Sequence, residues 1–318
     1  MYIGIDIGGM SIKAGLVDNS CKIIHKEVIP TGPRRPMQEI VHDIGALVDC
    51  LIKKCKVNPD DILSIGIGVP GAADSDRGII IRCGNINLDN APVADEIHKY
   101  INKPVFINND ANVAGLAEYY NLNKKMDCFL MVTLGTGVGG GIIIDGKIFS
   151  GFNGIGAELG HMVINENTHL CGCGRKGCWE TCASVTALIR QTKEAMESDK
   201  NSLMHKIADN NLDNVNGKTS FDAAKKGDKS ALKVVDQYIH HVATGVANLI
   251  NIFQPNAIAI GGAISKEGDY LLNPLRKYVY EEAYTTDFTE KPEIKAAVLG
   301  NDAGIIGAAM LGRSNGVI

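Results

Sequence analysis

The sequence predicts an α/β protein with mixed sheets, and three observations support this fold class. Short apolar runs typical of buried strands alternate with longer segments whose apolar residues recur at helical spacing. A strand, a glycine turn and a return strand occur near the N-terminus and again in the second half of the chain. Glycines and polar residues follow directly after the apolar runs, and in such folds ligands bind at the carboxyl ends of strands. We therefore expect two related lobes with ligand-binding residues at their strand ends.

The first elements are a hairpin and a helix. Residues 2–7 form an apolar run that ends at Gly8-Gly9, and residues 12–17 have the composition of a return strand. Residues 37–54 carry apolar side chains at steps of three and four, which indicates an amphipathic helix.

Two further strands end at polar residues. Residues 63–69 are apolar and end at Pro70-Gly71, and residues 104–107 are apolar and end at Asn108-Asn109-Asp110. Asparagine and aspartate also favour a helix start, because their side chains accept hydrogen bonds from the first backbone N–H groups. The sequence therefore predicts a helix from residue 111.

The second half repeats the plan of the first. Residues 129–134 form a strand that leads into Gly135-Thr136-Gly137, and residues 141–144 form the return strand. Asp145-Gly146 between apolar strands is a strong signal for a tight hairpin turn. These features predict a second hairpin related to the first.

The last elements are a long helix, a strand and a short helix. The long helix has one apolar face and stops before Pro255; the face consists of Leu232, Val235, Ile239, Val242, Val246, Leu249 and Phe253. Residues 257–260 are a buried strand that ends at Gly261-Gly262, and residues 304–311 form a helix with alanine and glycine faces for close packing.

Length, charge and cysteine usage limit the class of protein. The 318 residues are enough for two domains with substantial cores. A net charge of -4 provides no basic surface for nucleic acid. No apolar run approaches the ~20 residues of a membrane-spanning helix. The odd number of cysteines and the lack of an apolar N-terminal signal segment predict a protein of the reducing cytoplasm.

The strongest motif lies between Glu158 and Glu180. It places one imidazole and three thiols, the ligands that a closed structural zinc site uses, at His161, Cys171, Cys173 and Cys178. Cys182 lies one helical turn after Cys178, so the sequence leaves the fourth ligand open. Inert buried thiols and a redox pair are the alternatives to zinc.

The two glycine turns fit phosphate binding. Gly8, Gly9, Gly135 and Gly137 have no β-carbon and permit positive φ, so backbone N–H groups can approach an anion closely. Ser11, Lys13 and Thr136 add hydroxyls and a charge beside these turns. Asp6 ends a hydrophobic strand, and we expect it to hold a hydrated Mg²⁺ that bridges nucleotide phosphates. Plain hairpin turns are the alternative.

Asp110 is the candidate general base. Phosphoryl transfer to an alcohol needs a group that accepts the hydroxyl proton, and an aspartate within hydrogen-bond reach serves this purpose. Asn109 beside it can donate to and accept from a sugar hydroxyl. The capping of a helix by these two residues is the structural alternative, and both roles are compatible.

These residues together resemble the ROK family of sugar kinases and repressors. The runs LGTGVGGGIIIDGKIFSGFNGIGAELGH, CGCGRKGCWE, DIGGMSIKAG, GVPG, NNDANVAGLAE and IAIGGAIS are similar to the motifs of this family and follow its order. The resemblance covers nearly the whole chain. It implies the two-lobed actin-like ATPase (ribonuclease H-like) fold with mixed sheets, and a cleft between lobes that closes over ATP and a sugar. The small lobe would comprise residues 1–118 and the C-terminal helix 302–318, and the large lobe residues 119–301 with the zinc motif and the adenosine-binding segment.

The resemblance also implies a role for each motif residue, with Asp110 as the catalytic base. Sugar contacts would come from Gly71, Asn85, Asn109, Asp110, Glu158, His161 and Glu180. Nucleotide contacts would come from Asp6, Gly8, Gly9, Ser11, Lys13, Thr133, Gly135, Thr136, Gly137, Gly261 and Gly262. Structural Zn²⁺ would be bound by His161, Cys171, Cys173 and Cys178, so that the histidine faces both metal and sugar.

Three positions depart from the family pattern. Leu88 stands where a tryptophan is frequent, Met10-Ser11 where a threonine is frequent, and Ala263 where a third glycine is usual. None of them removes a catalytic group, but Leu88 bears on the shape of the sugar pocket.

We therefore expect an ATP-dependent hexose kinase that forms glucose 6-phosphate and uses ATP, Mg²⁺ and structural Zn²⁺. We expect no nucleic-acid or membrane partner. Related kinases are frequently dimers, so we also expect a homodimer. Kinases for N-acetylmannosamine, N-acetylglucosamine, allose or fructose are the alternatives within the same class. A sugar-responsive transcriptional repressor is the alternative of another class. It is disfavoured because the first strand already starts at Tyr2, which leaves no room for a DNA-binding module ahead of it.

Overall fold

The computed structural model describes residues 1–166, 169–284 and 288–317. Its strands include all the predicted ones, within one to three residues at each end, and four more, at residues 23–30, 72–74, 79–82 and 293–296, that the sequence did not predict. In chain order they are β1 Tyr2–Ile7, β2 Ser11–Val17, β3 Ile23–Pro30, β4 Ser64–Val69, β5 Ala72–Asp74, β6 Ile79–Arg82, β7 Val105–Asn109, β8 Cys128–Leu134, β9 Val138–Ile144, β10 Lys147–Ile148, β11 Ala257–Gly261 and β12 Glu293–Ala296.

The two large sheets have the same strand order. The first sheet is ordered β3-β2-β1-β4-β7, and the second is ordered β10-β9-β8-β11-β12. In the first sheet β1 and β2 are antiparallel, whereas β1, β4 and β7 run parallel to one another. In the second sheet β9 and β10 are antiparallel and β11 and β12 are parallel. The internal duplication predicted from the glycine hairpins is therefore confirmed by the topology, and both sheets are mixed.

The helices alternate with the strands in the first half of the chain, as predicted, but the five helices between residues 180 and 253 follow one another without a strand. They are α1 Met37–Cys55, α2 Val93–His98, α3 Asp110–Asn121, α4 Glu180–Ala183, α5 Val185–Ser198, α6 Leu203–Ile207, α7 Thr219–Ala224, α8 Lys229–Phe253, α9 Asp269–Glu282 and α10 Ala303–Ser314. α8 ends at Phe253, and its capping residue Gln254 adopts a left-handed conformation just before Pro255. Within the described residues, no helix is both long enough and apolar enough to span a bilayer.

The chain divides into two compact units. The first comprises Met1–Met131, Gly141–Ala157 and Val298–Ile318, and the second comprises Val132–Gly140 and Glu158–Ala297. The predicted small lobe, residues 1–118 and 302–318, lies within the first unit. Residues 141–157 belong to the same unit, and Gly141 packs closely on α3, since a β-carbon there would lie 3.1 Å from the carbonyl oxygen of Ala111.

The C-terminal helix α10 packs against the first sheet at glycines. A β-carbon at Gly4 would lie 1.9 Å from the carbonyl oxygen of Ile305, and one at Gly66 would lie 1.7 Å from the carbonyl oxygen of Ala308. Only glycine permits this approach, as the predicted alanine and glycine faces of α10 suggested. The last helix of the chain therefore completes the core of the N-terminal unit.

The prediction that Leu232 belongs to the buried apolar face of α8 is wrong. Leu232 lies in the first turn of α8 and is 43% exposed, whereas Val235, Ile239 and Val242 are buried. Ala231 and Val234 are buried in the first turns of α8, so the buried face there consists of the residues on either side of Leu232 in the sequence pattern and not of Leu232 itself.

Candidate functional site

The first hairpin places an acid and a lysine beside its glycine turn. Asp6 and Lys13 are directly opposite each other in the antiparallel pair β1 and β2, and Nζ of Lys13 lies 2.8 Å from Oδ2 of Asp6. The turn is closed by the Gly8 N–H, which donates to the carbonyl of Ser11 at 3.0 Å. A carboxylate oxygen is the ligand type that Mg²⁺ prefers, so Asp6 fits the predicted metal role, with Lys13 beside it for a phosphate.

The four glycines of the two turns do not adopt the positive φ that glycine permits. None of Gly8, Gly9, Gly135 and Gly137 is among the glycines with positive φ in this structure. A β-carbon at Gly9 or Gly135 would meet no atom within 4 Å, so both glycines leave open space on the turn. The expected positive φ is therefore wrong for these glycines, whereas the open space at Gly9 and Gly135 is compatible with the predicted phosphate contacts.

The junction of β7 and α3 holds the candidate base. Asn109 is the N-cap of α3, and its Oδ1 accepts the N–H of Ala111 at 2.9 Å, while its Nδ2 donates to the carbonyl of Gly71 at 3.3 Å. Asp110 is the first residue of α3, and its Oδ1 accepts the N–H of Ala111 at 2.8 Å. The capping prediction is confirmed, and the cap fixes the backbone next to the candidate base.

Asn108 and Asn112 reinforce this junction. Oδ1 of Asn108 accepts both the backbone N–H of Asn109 at 2.9 Å and Nδ2 of the buried Asn112 at 3.0 Å. The sequence reasoning did not single out these two asparagines. The available signal was the spacing of four residues between them, which places Asn108 at the end of a strand and Asn112 in the first turn of the next helix.

Gly71 and Asn85 lie on neighbouring segments of the same unit. Gly71 has φ 143°, and a β-carbon there would lie 2.1 Å from the carbonyl oxygen of Arg82, so only glycine fits. Asn85 is exposed, in the segment that follows β6. Leu88, the departure from the family pattern, is fully buried in the core of the first unit.

The cysteine-rich motif brings four ligand atoms together. The ligand atoms of His161, Cys171, Cys173 and Cys178 all lie within 4.8 Å of one another. Cys173 Sγ lies 3.6 Å from Cys178 Sγ, and Cys171 Sγ lies 3.6 Å from Nδ1 of His161. Ligands at ~2.3 Å from a tetrahedral zinc are about 3.7 Å apart, so these spacings fit zinc.

The electrostatics of the three thiols also fit a bound cation. Burial, followed by the neighbouring thiols, raises the pKa of Cys178 to about 12, and burial raises the pKa of Cys171. The backbone N–H of Arg175 lowers the pKa of the exposed Cys173. Three thiolates this close require a compensating positive charge, which a divalent metal supplies.

Cys182 lies outside this cluster. It is buried in α4, and its Sγ is 3.9 Å from the hydroxyl of Thr181. His161, and not Cys182, therefore completes the four-ligand set within the part of the chain that the structure describes.

The only tryptophan of the sequence anchors the cysteine motif. Trp179 follows Cys178, is fully buried, and donates through Nε1 to the carbonyl of His241 at 2.8 Å. A β-carbon at Gly245 would lie 2.0 Å from its ring, so α8 has a glycine where the indole packs. The sequence reasoning missed this residue, because nothing local indicates where its ring packs.

His161 is part of the cluster, and Glu158 lies three residues before it in the chain. Glu158 is exposed and precedes the short 3-10 turn Leu159–His161. His161 presents Nδ1 to Cys171, which leaves Nε2 on the opposite edge of its ring for another partner. The backbone before Glu158 is unusual, since Ala157 has φ 65°, and such outliers concentrate at functional sites.

Glu180 connects the cluster to the second glycine turn. Its Oε2 accepts the N–H of Val138 at 3.0 Å, and its Oε1 lies 3.6 Å from Sγ of Cys171. A β-carbon at Gly137 would lie 2.1 Å from Oε2, so the carboxylate occupies the space that a side chain would fill. Thr133 is half-buried in β8, which leads into this turn.

A cavity of about 500 Å³ adjoins the turn after β11. Gly262 has φ 94°, and a β-carbon there would lie 2.0 Å from the carbonyl oxygen of Leu134. The cavity is lined by Val185, Gly217, Lys218, Lys225, Ala263, Ile264, Lys266 and Glu267. The IAIGGAIS motif indicated Ala263 and Ile264, but the other lining residues were not predicted, because segments far apart in the chain supply them. The cavity is large enough for a nucleoside.

The chain was compared with protein families, curated proteins and solved structures. The family model described as "ROK family" matches residues 2–315. A glucokinase from Halalkalibacterium halodurans is 36% identical over 313 residues, which are 98% of this chain and 94% of that protein. A xylose repressor from Caldicellulosiruptor bescii is 30% identical over 311 residues, which are 96% of this chain and 77% of that protein.

Among solved structures, the chain is similar to a ROK family glucokinase from Streptomyces griseus in complex with glucose and AMPPNP. The two are 34% identical with a TM-score of 0.78, and the match covers 98% of this chain and 99% of that one. The predicted α/β fold, the actin-like ATPase fold of these sugar kinases, is confirmed.

Proposed function

The chain belongs to the ROK family, and from this premise we propose that it is an ATP-dependent glucokinase that converts glucose and ATP to glucose 6-phosphate and ADP. The observation that carries the proposal is the β7–α3 junction, where a doubly hydrogen-bonded Asn109 holds Asp110 at the start of a helix. The similarity to glucokinases over nearly the whole chain supports the same activity.

Asp110 serves as the general base in this proposal. Its carboxylate accepts the proton of the sugar 6-hydroxyl while that oxygen forms a bond to the γ-phosphorus of ATP. The bond between the γ-phosphorus and the bridging oxygen breaks, and ADP leaves with the electron pair. Such positioned bases contribute roughly 10²–10⁴-fold to a rate.

Glu158, His161 and Glu180, together with Gly71, Asn85 and Asn109, bind the sugar in this proposal. Carboxylates and amides accept and donate hydrogen bonds with ring hydroxyls, and a site of this kind rejects a sugar that leaves its polar groups unpaired. This reasoning favours strong selection of one hexose over its epimers.

The glycine turns and the cavity after β11 bind the nucleotide. Gly8, Gly9, Gly135 and Gly137 offer backbone N–H groups to phosphates, and Gly261-Gly262 leads into the cavity for adenosine. Asp6 would hold the Mg²⁺, which neutralises developing charge on the phosphates when it is bound. Ser11, Lys13, Thr133 and Thr136 complete the predicted nucleotide contacts.

The cluster of His161, Cys171, Cys173 and Cys178 holds structural Zn²⁺ in this proposal. Four protein ligands leave no position for a metal-bound water, so the metal orders the motif and takes no chemical step. It fixes the ring of His161, whose other edge then faces the sugar.

A coupled ADP-release assay over a panel of hexoses tests the proposal. Glucose should have the highest kcat/KM, well above N-acetylmannosamine, N-acetylglucosamine, allose and fructose, and ATP should exceed polyphosphate as the donor. Turnover that is highest with another sugar would reassign the substrate, and no turnover with any sugar would overturn the kinase proposal. Specific DNA binding in the same preparation would support the repressor alternative instead.

A further inference from the structure

The turn that contains Gly135, Thr136 and Gly137 is fixed by a short segment that begins directly after the cysteine motif. The Val185 N–H donates to the carbonyl of Gly135 at 2.8 Å. The hydroxyl of Thr186 donates to the carbonyl of Thr136 at 2.7 Å. Within seven residues, 180–186, the chain thus supplies anchors to two consecutive carbonyls of the turn.

The third anchor comes from Glu180 at the start of the same segment. Its Oε2 accepts the N–H of Val138, the residue that ends the turn, at 3.0 Å. The carboxylate lies where a side chain at Gly137 would be, at 2.1 Å from such a β-carbon. The positions of the turn and of the Glu180 carboxylate are therefore linked by a hydrogen bond and by close packing.

The same carboxylate contacts the cysteine cluster. Oε1 of Glu180 lies 3.6 Å from Sγ of Cys171, which is itself 3.6 Å from Nδ1 of His161. Trp179 locks this end of the motif by its hydrogen bond to the carbonyl of His241. Glu180 thus has contacts on two sides, with the turn and with the cluster.

We propose that Thr186 is a positioning residue for the phosphate-binding turn, and that Thr186 and Glu180 together form a clamp that couples nucleotide binding to sugar binding. The inference rests on the proposed function, in which the turn binds ATP phosphates and Glu180 binds the sugar. A sugar that fixes the Glu180 carboxylate lowers the cost of ordering the turn for the nucleotide. By thermodynamic reciprocity, the nucleotide tightens sugar binding by the same factor.

Three variants separate the parts of the clamp. Thr186→Val removes the hydroxyl at nearly constant shape, and Thr186→Ser restores it. Gly137→Ala forces the turn and the Glu180 carboxylate apart. Thr244→Val is the matched control, because Thr244 is also a helical threonine of the second unit whose hydroxyl donates to a backbone carbonyl, that of His240 at 3.1 Å.

The affinities are measured directly. Calorimetry gives the Kd of Mg²⁺ with a non-hydrolysable ATP analogue, with and without saturating glucose, and the fluorescence of the single tryptophan, Trp179, gives the Kd of glucose. We expect Thr186→Val to weaken the analogue about threefold to tenfold, the range of one hydrogen bond, with glucose affinity in the absence of nucleotide unchanged. Thr186→Ser and Thr244→Val should match the wild type.

In the wild type, saturating glucose should lower the Kd of the ATP analogue by about fivefold or more, which is a typical size for coupling between two sites. In Gly137→Ala, glucose should no longer change the Kd of the analogue. Unchanged analogue affinity in Thr186→Val, or an unchanged coupling factor in Gly137→Ala, would overturn the clamp. A wild type that binds both ligands without phosphoryl transfer would overturn the proposed activity alone, so the two failures are distinguishable.

Discussion

At the scale of single residues, Asp110 is the group whose change should separate binding from catalysis. It begins α3, where the cap of Asn109 holds its backbone, so replacement by asparagine should not disturb the local fold. We expect Asp110→Asn to lower kcat by about 10²–10⁴-fold, because the amide cannot accept the hydroxyl proton at neutral pH. Glucose Kd, measured by fluorescence, should change by less than about threefold, since the amide still forms a hydrogen bond.

Asp95→Asn is the matched control for this experiment. Asp95 is also an acid in the first turn of a helix, α2, and no proposed substrate contact involves it. Its kcat should equal that of the wild type. A kcat for Asp110→Asn within about tenfold of the wild type would refute the assignment of the base.

At the scale of elements, the cysteine motif should depend on its metal. We expect Cys173→Ser to lose the zinc and to bind glucose more weakly, because the motif without its metal would no longer hold the side chains of His161 and Glu180 in place. Cys173 is exposed, so the exchange leaves no cavity in the core. Metal analysis by mass spectrometry, with calorimetry for glucose, measures both effects.

Cys182→Ser is the control for that variant. Cys182 is a neighbouring thiol outside the four-ligand cluster, and its variant should keep about one zinc per chain. Metal-free wild-type protein would show that the cluster consists of inert thiols. Loss of zinc from the control as well would show that the fourth ligand has been misassigned.

Helix α8 should make stability depend on pH through His241. Burial, followed by the charges of His240 and Arg190, lowers the pKa of His241 below its ordinary value of 6.5. Below pH 6.5 the unfolded chain therefore binds this proton more readily than the folded one, and stability is lost as the pH falls further. Urea unfolding at pH 7.5, 6.5 and 5.5 should show a smaller loss for His241→Asn than for the wild type.

His240→Asn is a variant of intermediate effect. The charge of His240 is the second cause, after burial, of the lowered pKa of His241. Its removal should therefore reduce the loss of stability at low pH by less than His241→Asn does. Identical pH profiles for the wild type and His241→Asn would contradict the assignment.

At the scale of the whole molecule, the sequence predicted those features of the fold that depend on residues close together in the chain. The Asp145-Gly146 turn, the Asn109 cap and the spacing of the three clustered cysteines are determined within a few residues of sequence, and the structure contains all three. The repeated strand order follows from the repeated hairpins, because each hairpin begins a sheet of the same topology.

Contacts between distant segments could not be predicted in the same way. Thr186 reaches Thr136 across fifty residues, and Val185, Gly217 and Ile264 meet at one cavity although no local pattern relates them. The contact of Trp179 with Gly245 depends on how α8 packs. Apolar periodicity predicts which face of a helix is buried, but it does not predict which residue packs against that face. Such residues become visible only once the chain has folded.

The contact between α10 and the first sheet is the longest-range feature of the core, and it predicts a large loss of stability on a minimal change. A β-carbon at Gly66 would lie 1.7 Å from the carbonyl oxygen of Ala308, a backbone atom that cannot move without displacing the helix. We expect Gly66→Ala to lower the free energy of unfolding by about 3 kcal/mol or more. Urea unfolding measures this loss.

Gly84→Ala is the matched control for Gly66→Ala. Gly84 lies in the same unit, its φ is not positive, and a β-carbon there would meet no atom within 4 Å. Its free energy of unfolding should stay within about 1 kcal/mol of the wild type, because alanine there changes only the entropy of the unfolded chain. Equal stabilities of the two variants would mean that α10 does not close on β4 as described. A loss of stability in Gly66→Ala alone would instead show that the C-terminal helix α10 stabilises the sheet formed by the N-terminal strands.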